Sequence, residues 1–248
     1  MHVIGEAKGI KLHVSKDAYF SYFNSPYSGH SHAAAIDIYP YHHEWGGPVV
    51  SPVTGKLVRI RKTTMGMKKE FPTEDYDFGI AIQPEDCEDA IVRILHCSPS
   101  LKEGDSVARG DVIGSTIRSR YFNYWTGPHY HIELMRLDSF PRSTRSYQLT
   151  LPFRFESKKI EELPSSVEFL IDTVSEDFIA GYPKGLSHTT IDGYTGLSGI
   201  CNGKDVVGIL DGGLSHYKHG GVIGHTNSIE GSIIGLQEVP VGTIERSL

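Results

Sequence analysis

Cysteine is scarce in this sequence, with only Cys87, Cys97 and Cys201. An odd count without a C-x-x-C pair argues against a disulfide framework and against a thiolate zinc site. Buried free thiols are expected instead. Long apolar runs are missing as well: no stretch approaches the roughly 18 to 20 residues that a membrane span needs. Basic charge is not in excess, since the net charge is −6, which disfavours a nucleic-acid partner. The opening segment, "MHVIGEAKGIKLHVSKDAYF", has neither a long apolar region nor a small-residue cleavage signal, so a cytoplasmic protein is expected.

Histidine, by contrast, is plentiful. Thirteen are present, and nine of them precede residue 132. That skew points to chemistry in the first half of the chain. The segment "PHYHIEL" places His129 and His131 two positions apart in a strand-like run. Side chains at i and i+2 of a strand share one face. Glu133 follows on that face, either orienting a histidine or facing solvent.

Short strands separated by turns account for the first half. "IDIYP" reads as a strand ended by Pro40, and "GGPVVSPVTGKLVRIRK" as two strands around a turn. "FGIAIQP" and "DAIVRILH" read as strands joined by the acidic turn "PEDCED", with "MGMKKEFPTEDYDFG" before them as a polar loop. "GPHYHIELMRL" closes the set. Strands so short and close, without long helical runs, predict an antiparallel, mainly β domain over residues 1–140. Residues 141–165 are polar with prolines and read as a linker or arm. Residues 166–248 read as a second, glycine-rich, β-rich domain or extension. In it "VEFLIDTVSEDFIAG" predicts a short helix closed by Gly181. The echo "KGLSH", "TGLSG", "GGLSH" predicts repeated β-turns.

A catalytic zinc needs three ligands from His, Asp or Glu and an open position for water. His32 and Asp37 in "HAAAID", with His131, supply such a set. His96, at the end of "RILH", and His129 then remain for proton transfer or oxyanion stabilisation. His42 and His43 read as a surface loop, and His188, His216, His219 and His225 match no further metal motif. Tyr121 and Trp125 in "RYFNYWTG" either wall a substrate cleft or pack inside.

The ordered set S-P-Y, H-x-x-x-x-D, "SPVTGKLV", "RILH", "EGDSVARGDVIGS" and "TGPHYHIEL" resembles the M23 peptidases, lysostaphin-like zinc metalloendopeptidases, over about residues 25–137. The resemblance implies an antiparallel β-core of the lysostaphin and glucose-permease type. It also implies zinc on His32, Asp37 and His131, catalytic His96 and His129, and a peptide or peptidoglycan-like substrate whose amide bond is hydrolysed. One departure stands out. The family's His and Asp are four apart, whereas Asp37 is five after His32 and seven after His30. Five apart puts the side chains on opposite strand faces unless the backbone bulges at "AAA", so His30 is the alternative ligand. A β-core that has lost catalysis and serves as a binding module is the rival reading. A non-haem iron centre of two histidines and one carboxylate is a third.

Overall fold

A computed structural model of the chain describes residues 1–41, 43–141, 145–163, 165–176, 178–185, 188–201, 204–213, 215–224, 232–234 and 240–243. It is mainly β and antiparallel, as the strand pattern predicts. It divides into two compact units, Met1–Tyr22 with Tyr27–Pro152, and Phe23–Pro26 with Phe153–Leu248. Among the described residues no helix is long and apolar enough to cross a membrane.

The first unit opens with the hairpin β1 (His2–Ala7) and β2 (Ile10–Val14). There follow β3 (Tyr19–Ser21), a single helical turn α1 (Ser28–Ser31), β4 (Ala35–Tyr39), β5 (Pro48–Val50) and β6 (Gly55–Thr64). Next come β7 (Tyr76–Pro84), β8 (Ala90–Leu95), β9 (Cys97–Pro99), β10 (Ser106–Val107), β11 (Val112–Thr116) and β12 (Tyr130–Arg136). Seven of these form one sheet in the order β10-β6-β7-β8-β12-β4-β3, and β5-β11-β9 form a second. The segment expected to be a polar loop up to Gly79 becomes strand from Tyr76 onward.

The last strand of this unit in sequence, β12, lies inside the large sheet between β8 and β4. Its alternate residues Tyr130, Ile132 and Leu134 are buried. Ile94 and Ile36 flank Ile132 on the neighbouring strands and are buried too. Burying each such side chain contributes roughly 1.5–3 kcal/mol. The opposite face carries His131, Glu133 and Met135 in turn. Met135 packs with Ala81, Ile91 and Phe140. Glu133 and His131 therefore extend a buried row whose far end is apolar.

The second unit holds β13 (Lys158–Lys159), β14 (Glu168–Val174), β15 (Ile179–Lys184), β16 (His188–Ile191), β17 (Tyr194–Cys201), β18 (Asp205–Gly212), β19 (Gly220–Ile223), β20 (Ser232–Ile234) and β21 (Pro240–Thr243). Its core includes Ile191, Ile200, Cys201, Val206 and Val207. Asp192 and Gly193 join β16 to β17 with φ of 50° and 85°, the twist a two-residue hairpin demands.

Two expectations fail here. "VEFLIDTVSEDFIAG" is the hairpin β14–β15, not a helix. Its β-branched residues Ile171, Thr173 and Val174 favour extension. "TGLSG" lies inside β17 rather than at a turn, while the other two copies of that echo include residues outside the described set. The three cysteines are free, with Cys97 and Cys201 buried.

Candidate metal centre

Register builds the site. His131 of β12 lies directly opposite Asp37 of β4, and on its other side opposite Leu95 of β8. Directly opposed residues share a face with Cβ atoms about 5 Å apart, so a carboxylate and an imidazole meet there by pairing alone. His131 Nδ1 is 2.8 Å from Asp37 Oδ1.

The second imidazole is His30, and His32 stays outside. His32, the expected ligand, is not brought beside Asp37 and His131, and α1 is the reason. His30 sits within this helical turn, so strand parity does not govern its direction. The chain then reverses at Ala33, whose φ is 51°, before β4 begins. His30 is buried, with Nε2 3.2 Å from His131 Nδ1 and 3.4 Å from Asp37 Oδ1. His32 is exposed, and its Nδ1 lies 2.9 Å from the Ser28 carbonyl. No strand bulge over "AAA" is needed.

His30, Asp37 and His131 thus offer three ligand atoms that all lie within 4.8 Å of one another. Ligands bound to one zinc at 2.0–2.2 Å in a tetrahedral arrangement stand roughly 3.3 Å apart. The observed 3.2 and 3.4 Å match that spacing, while His131 Nδ1 and Asp37 Oδ1, at 2.8 Å, stand at hydrogen-bond distance.

The outer nitrogens of both imidazoles are occupied. His30 Nδ1 is 2.8 Å from the Tyr22 carbonyl oxygen, just beyond β3. His131 Nε2 is 2.7 Å from Glu133 Oε1. Each acceptor demands a proton on the nitrogen facing it, so in a neutral ring the lone pair is left on the inner nitrogen. Two lone pairs and a carboxylate oxygen then converge in a buried place. That arrangement needs a cation or an extra proton between them, and these outer contacts are the kind that orient metal-binding histidines.

In the metal-free protein a proton meets that need. Burial works against charging His131, but hydrogen bonds to Asp37 and Glu133 prevail and raise it to about 9. Burial likewise opposes charge on Asp37. The neighbouring His129 and His30, with the His131 hydrogen bond, nevertheless hold its carboxyl well below the usual range.

Glu133 is buried rather than solvated, which settles the two readings of this residue. Its Oε2 accepts from Arg93 at 2.7 Å and from Ser146 at 2.6 Å. Burial pushes its carboxyl up, but His131, Arg93 and Ser146 bring it below its ordinary value. Gly29 leaves room for this carboxylate, because a Cβ there would lie 2.9 Å from Glu133 Oε1 and 2.8 Å from Ala35 Cβ.

His96 and His129, expected beside the ligands, are both buried there. Their rings are 5.7 Å apart, and His96 is 6.5 Å from the His131 ring. His129 Nδ1 is 2.9 Å from the Gly127 carbonyl, and its Nε2 is 3.5 Å from Asp37 Oδ2. Burial lowers the His129 pKa to about 4, against the pull of Asp37. His96 has a φ of 63°, a left-handed conformation costing roughly 1–2 kcal/mol outside glycine. Sequence reasoning missed its partner, Asp77, whose Oδ2 lies 2.6 Å from His96 Nδ1. The signal was a lone Asp at the start of an apolar alternation, "DFGIAI", hidden in a stretch read as loop.

Tyr121 and Trp125 are exposed, 53% and 68%, so they do not pack inside, and the Tyr121 ring lies 5.1 Å from His96. His43 is buried with its ring 4.6 Å from Tyr19, against the expectation of a surface loop. His42 and His225 lie outside the described residues.

The family model described as Domain of unknown function (DUF8155) N-terminal domain matches residues 10–151. Among solved structures, the catalytic domain of a point mutant of the prophage-encoded M23 protein EnpA from Enterococcus faecalis is similar at 20% identity. It covers 51% of this chain and 86% of its own, with a TM-score of 0.35. The antimicrobial peptidase lysostaphin from Staphylococcus simulans is similar at 17% identity, covering 83% of this chain and 92% of its own, with a TM-score of 0.34. No curated protein matches.

Proposed function

Since the chain belongs to the family described as Domain of unknown function (DUF8155) N-terminal domain, which names no reaction, we propose its function from the site itself: zinc-dependent hydrolysis of a peptide amide bond. The observation that carries this reading is the convergence of His30 Nε2, Asp37 Oδ1 and His131 Nδ1, with the outer nitrogens of both histidines held by acceptors. Two neutral imidazoles and one carboxylate are a hydrolytic zinc set.

His30, Asp37 and His131 would hold the ion. When bound, zinc supplies Lewis acidity that lowers the pKa of water to about 7 and polarises a carbonyl. The chain's own residues do the rest. Glu133 and the Tyr22 carbonyl hold the two ligand rings in one tautomer. His96, with Nδ1 turned to Asp77, presents Nε2 as a proton acceptor. His129, held through Nδ1 by Gly127, has Nε2 beside Asp37 and is placed to donate once protonated, stabilising negative charge that develops on the scissile carbonyl oxygen. The substrate is a peptide or a peptidoglycan-like crosslink, in keeping with the M23 resemblance of the sequence.

The test is metal analysis of the purified protein together with hydrolysis of a panel of glycyl and D-amino-acid peptides, compared with His129→Ala. Zinc at one equivalent and cleavage lost on chelation are expected. Iron in place of zinc would favour the oxygen-activating reading. Absence of cleavage with zinc fully loaded would favour a binding module.

A further inference from the structure

We infer that Asp77 is a positioning residue that fixes His96 as its Nδ1–H tautomer and so leaves the lone pair on Nε2, the ring nitrogen that does not face Asp77. The catalytic consequence rests on the hydrolytic reading above, whereas the tautomer does not.

The carboxylate of Asp77 is buried, and both of its oxygens are engaged. Oδ1 accepts the Phe78 N–H at 2.7 Å. Oδ2 accepts the Ser119 hydroxyl at 2.7 Å and faces His96 Nδ1 at 2.6 Å. A carboxylate held below its ordinary range, as this one is by these contacts against its burial, only accepts. His96 must then carry a proton on Nδ1 in its neutral as well as its charged form.

The backbone of His96 is held on both sides. The His96 N–H donates to the Phe78 carbonyl at 3.2 Å, and the His96 carbonyl accepts from the Ile117 N–H at 3.1 Å. Phe122 covers the ring at 4.5 Å between centroids. Phe78, whose backbone pins His96 on one side, follows Asp77 directly, so one strand end sets both backbone and ring.

His129 makes the contrast. The group behind its Nδ1 is the neutral Gly127 carbonyl. Both rings are thereby held in the same tautomer, but His96 has its carboxylate behind Nδ1, leaving Nε2 clear of it, whereas the carboxylate near His129, that of Asp37, lies 3.5 Å from Nε2 itself. A carboxylate in that position stabilises the imidazolium formed when the ring takes a proton, and an amide carbonyl does so far less. The geometry therefore assigns proton acceptance to His96.

The experiment uses full-length, uniformly 15N-labelled protein and long-range proton–nitrogen correlation of the imidazoles, at a pH where His96 is neutral. Wild type is expected to show His96 protonated on Nδ1. Asp77→Asn puts an amide N–H2 toward Nδ1 and is expected to invert the tautomer to Nε2–H. Zinc content should stay at the wild-type level. On whichever panel peptide is cleaved fastest, kcat should fall about 10²- to 10⁴-fold, with KM within roughly threefold. Ser119→Ala keeps the carboxylate and is expected to retain the tautomer. A wild-type His96 protonated on Nε2 overturns the proposal, even if Asp77→Asn fails to fold. So does a folded Asp77→Asn with unchanged tautomer and kcat. If zinc-loaded wild type cleaves nothing, the hydrolytic reading falls and the tautomer still decides the role of Asp77.

Discussion

At the scale of single residues, two alanine substitutions separate the proposed ligand from its sequence neighbour. His30→Ala removes a buried nitrogen from the cluster and is expected to lose stoichiometric zinc. His32→Ala removes an exposed ring and is expected to keep it. Zinc content after dialysis distinguishes them, and the reverse pattern would return His32 to the ligand set. Glu133→Gln leaves the shape but weakens the acceptor facing His131 Nε2. Loss of such an outer partner lowers metal affinity about 10- to 100-fold, measurable by competition with a zinc chelator. Arg93 is the buried counter-charge of that carboxylate, at 2.7 Å. Arg93→Ala strands part of the charge and is expected to cost about 3–5 kcal/mol in a urea unfolding measurement.

At the scale of elements, the turn α1 decides how close His30 comes. Gly29→Ala would set a Cβ against both Ala35 Cβ and Glu133 Oε1. It is expected to push α1 or Glu133 aside and weaken zinc binding without unfolding the sheet, as circular dichroism and a zinc titration would show. This element also marks where the sequence stopped being legible. The alternations in "FGIAIQP" and "HIELM" specified their strands, and the i, i+2 rule put His129, His131 and Glu133 on one face. Asp37 was found because a strand was visible around it. His30 stands only as the alternative in the sequence, because spacing counts as though one strand ran from the histidines to the aspartate. A four-residue helical turn has too few residues to show a period, and nothing local announces the left-handed Ala33. Asp77 was missed because its partner, His96, is 19 positions away. The hairpin β14–β15 was read as helix because a short apolar run satisfies either period.

For the whole molecule, a bound metal would compete with protons for one place. In zinc-free protein His131 has its pKa raised to about 9. A raised group adds stability fully present below its ordinary value near 6.5 and lost as pH climbs through about 9. Asp37, held well below the usual range, adds stability that is present above its ordinary value and is lost as pH falls through its lowered one. Zinc-free protein is therefore expected to weaken on the alkaline side between about pH 6.5 and 9. Zinc-loaded protein should lose that decline, because the neutral His131 ring has no proton left to release there. Its acid limb should steepen as protons displace the metal. Urea midpoints at pH 6, 8 and 10, with and without zinc, check both limbs.

The pairing of β12 with β4 has a consequence for how the protein is prepared. His131 meets Asp37 only because the two strands are aligned to the residue. Sliding one past the other by a single position would carry His131 and Glu133 through to the opposite side of the sheet. Chains refolded from denaturant and trapped in that misalignment would keep their β content and still take up no zinc. A refolded batch holding less than one equivalent of metal would then be a mixture of fully loaded and metal-blind molecules, separable on an immobilised-zinc column, rather than a uniform population of weak binders.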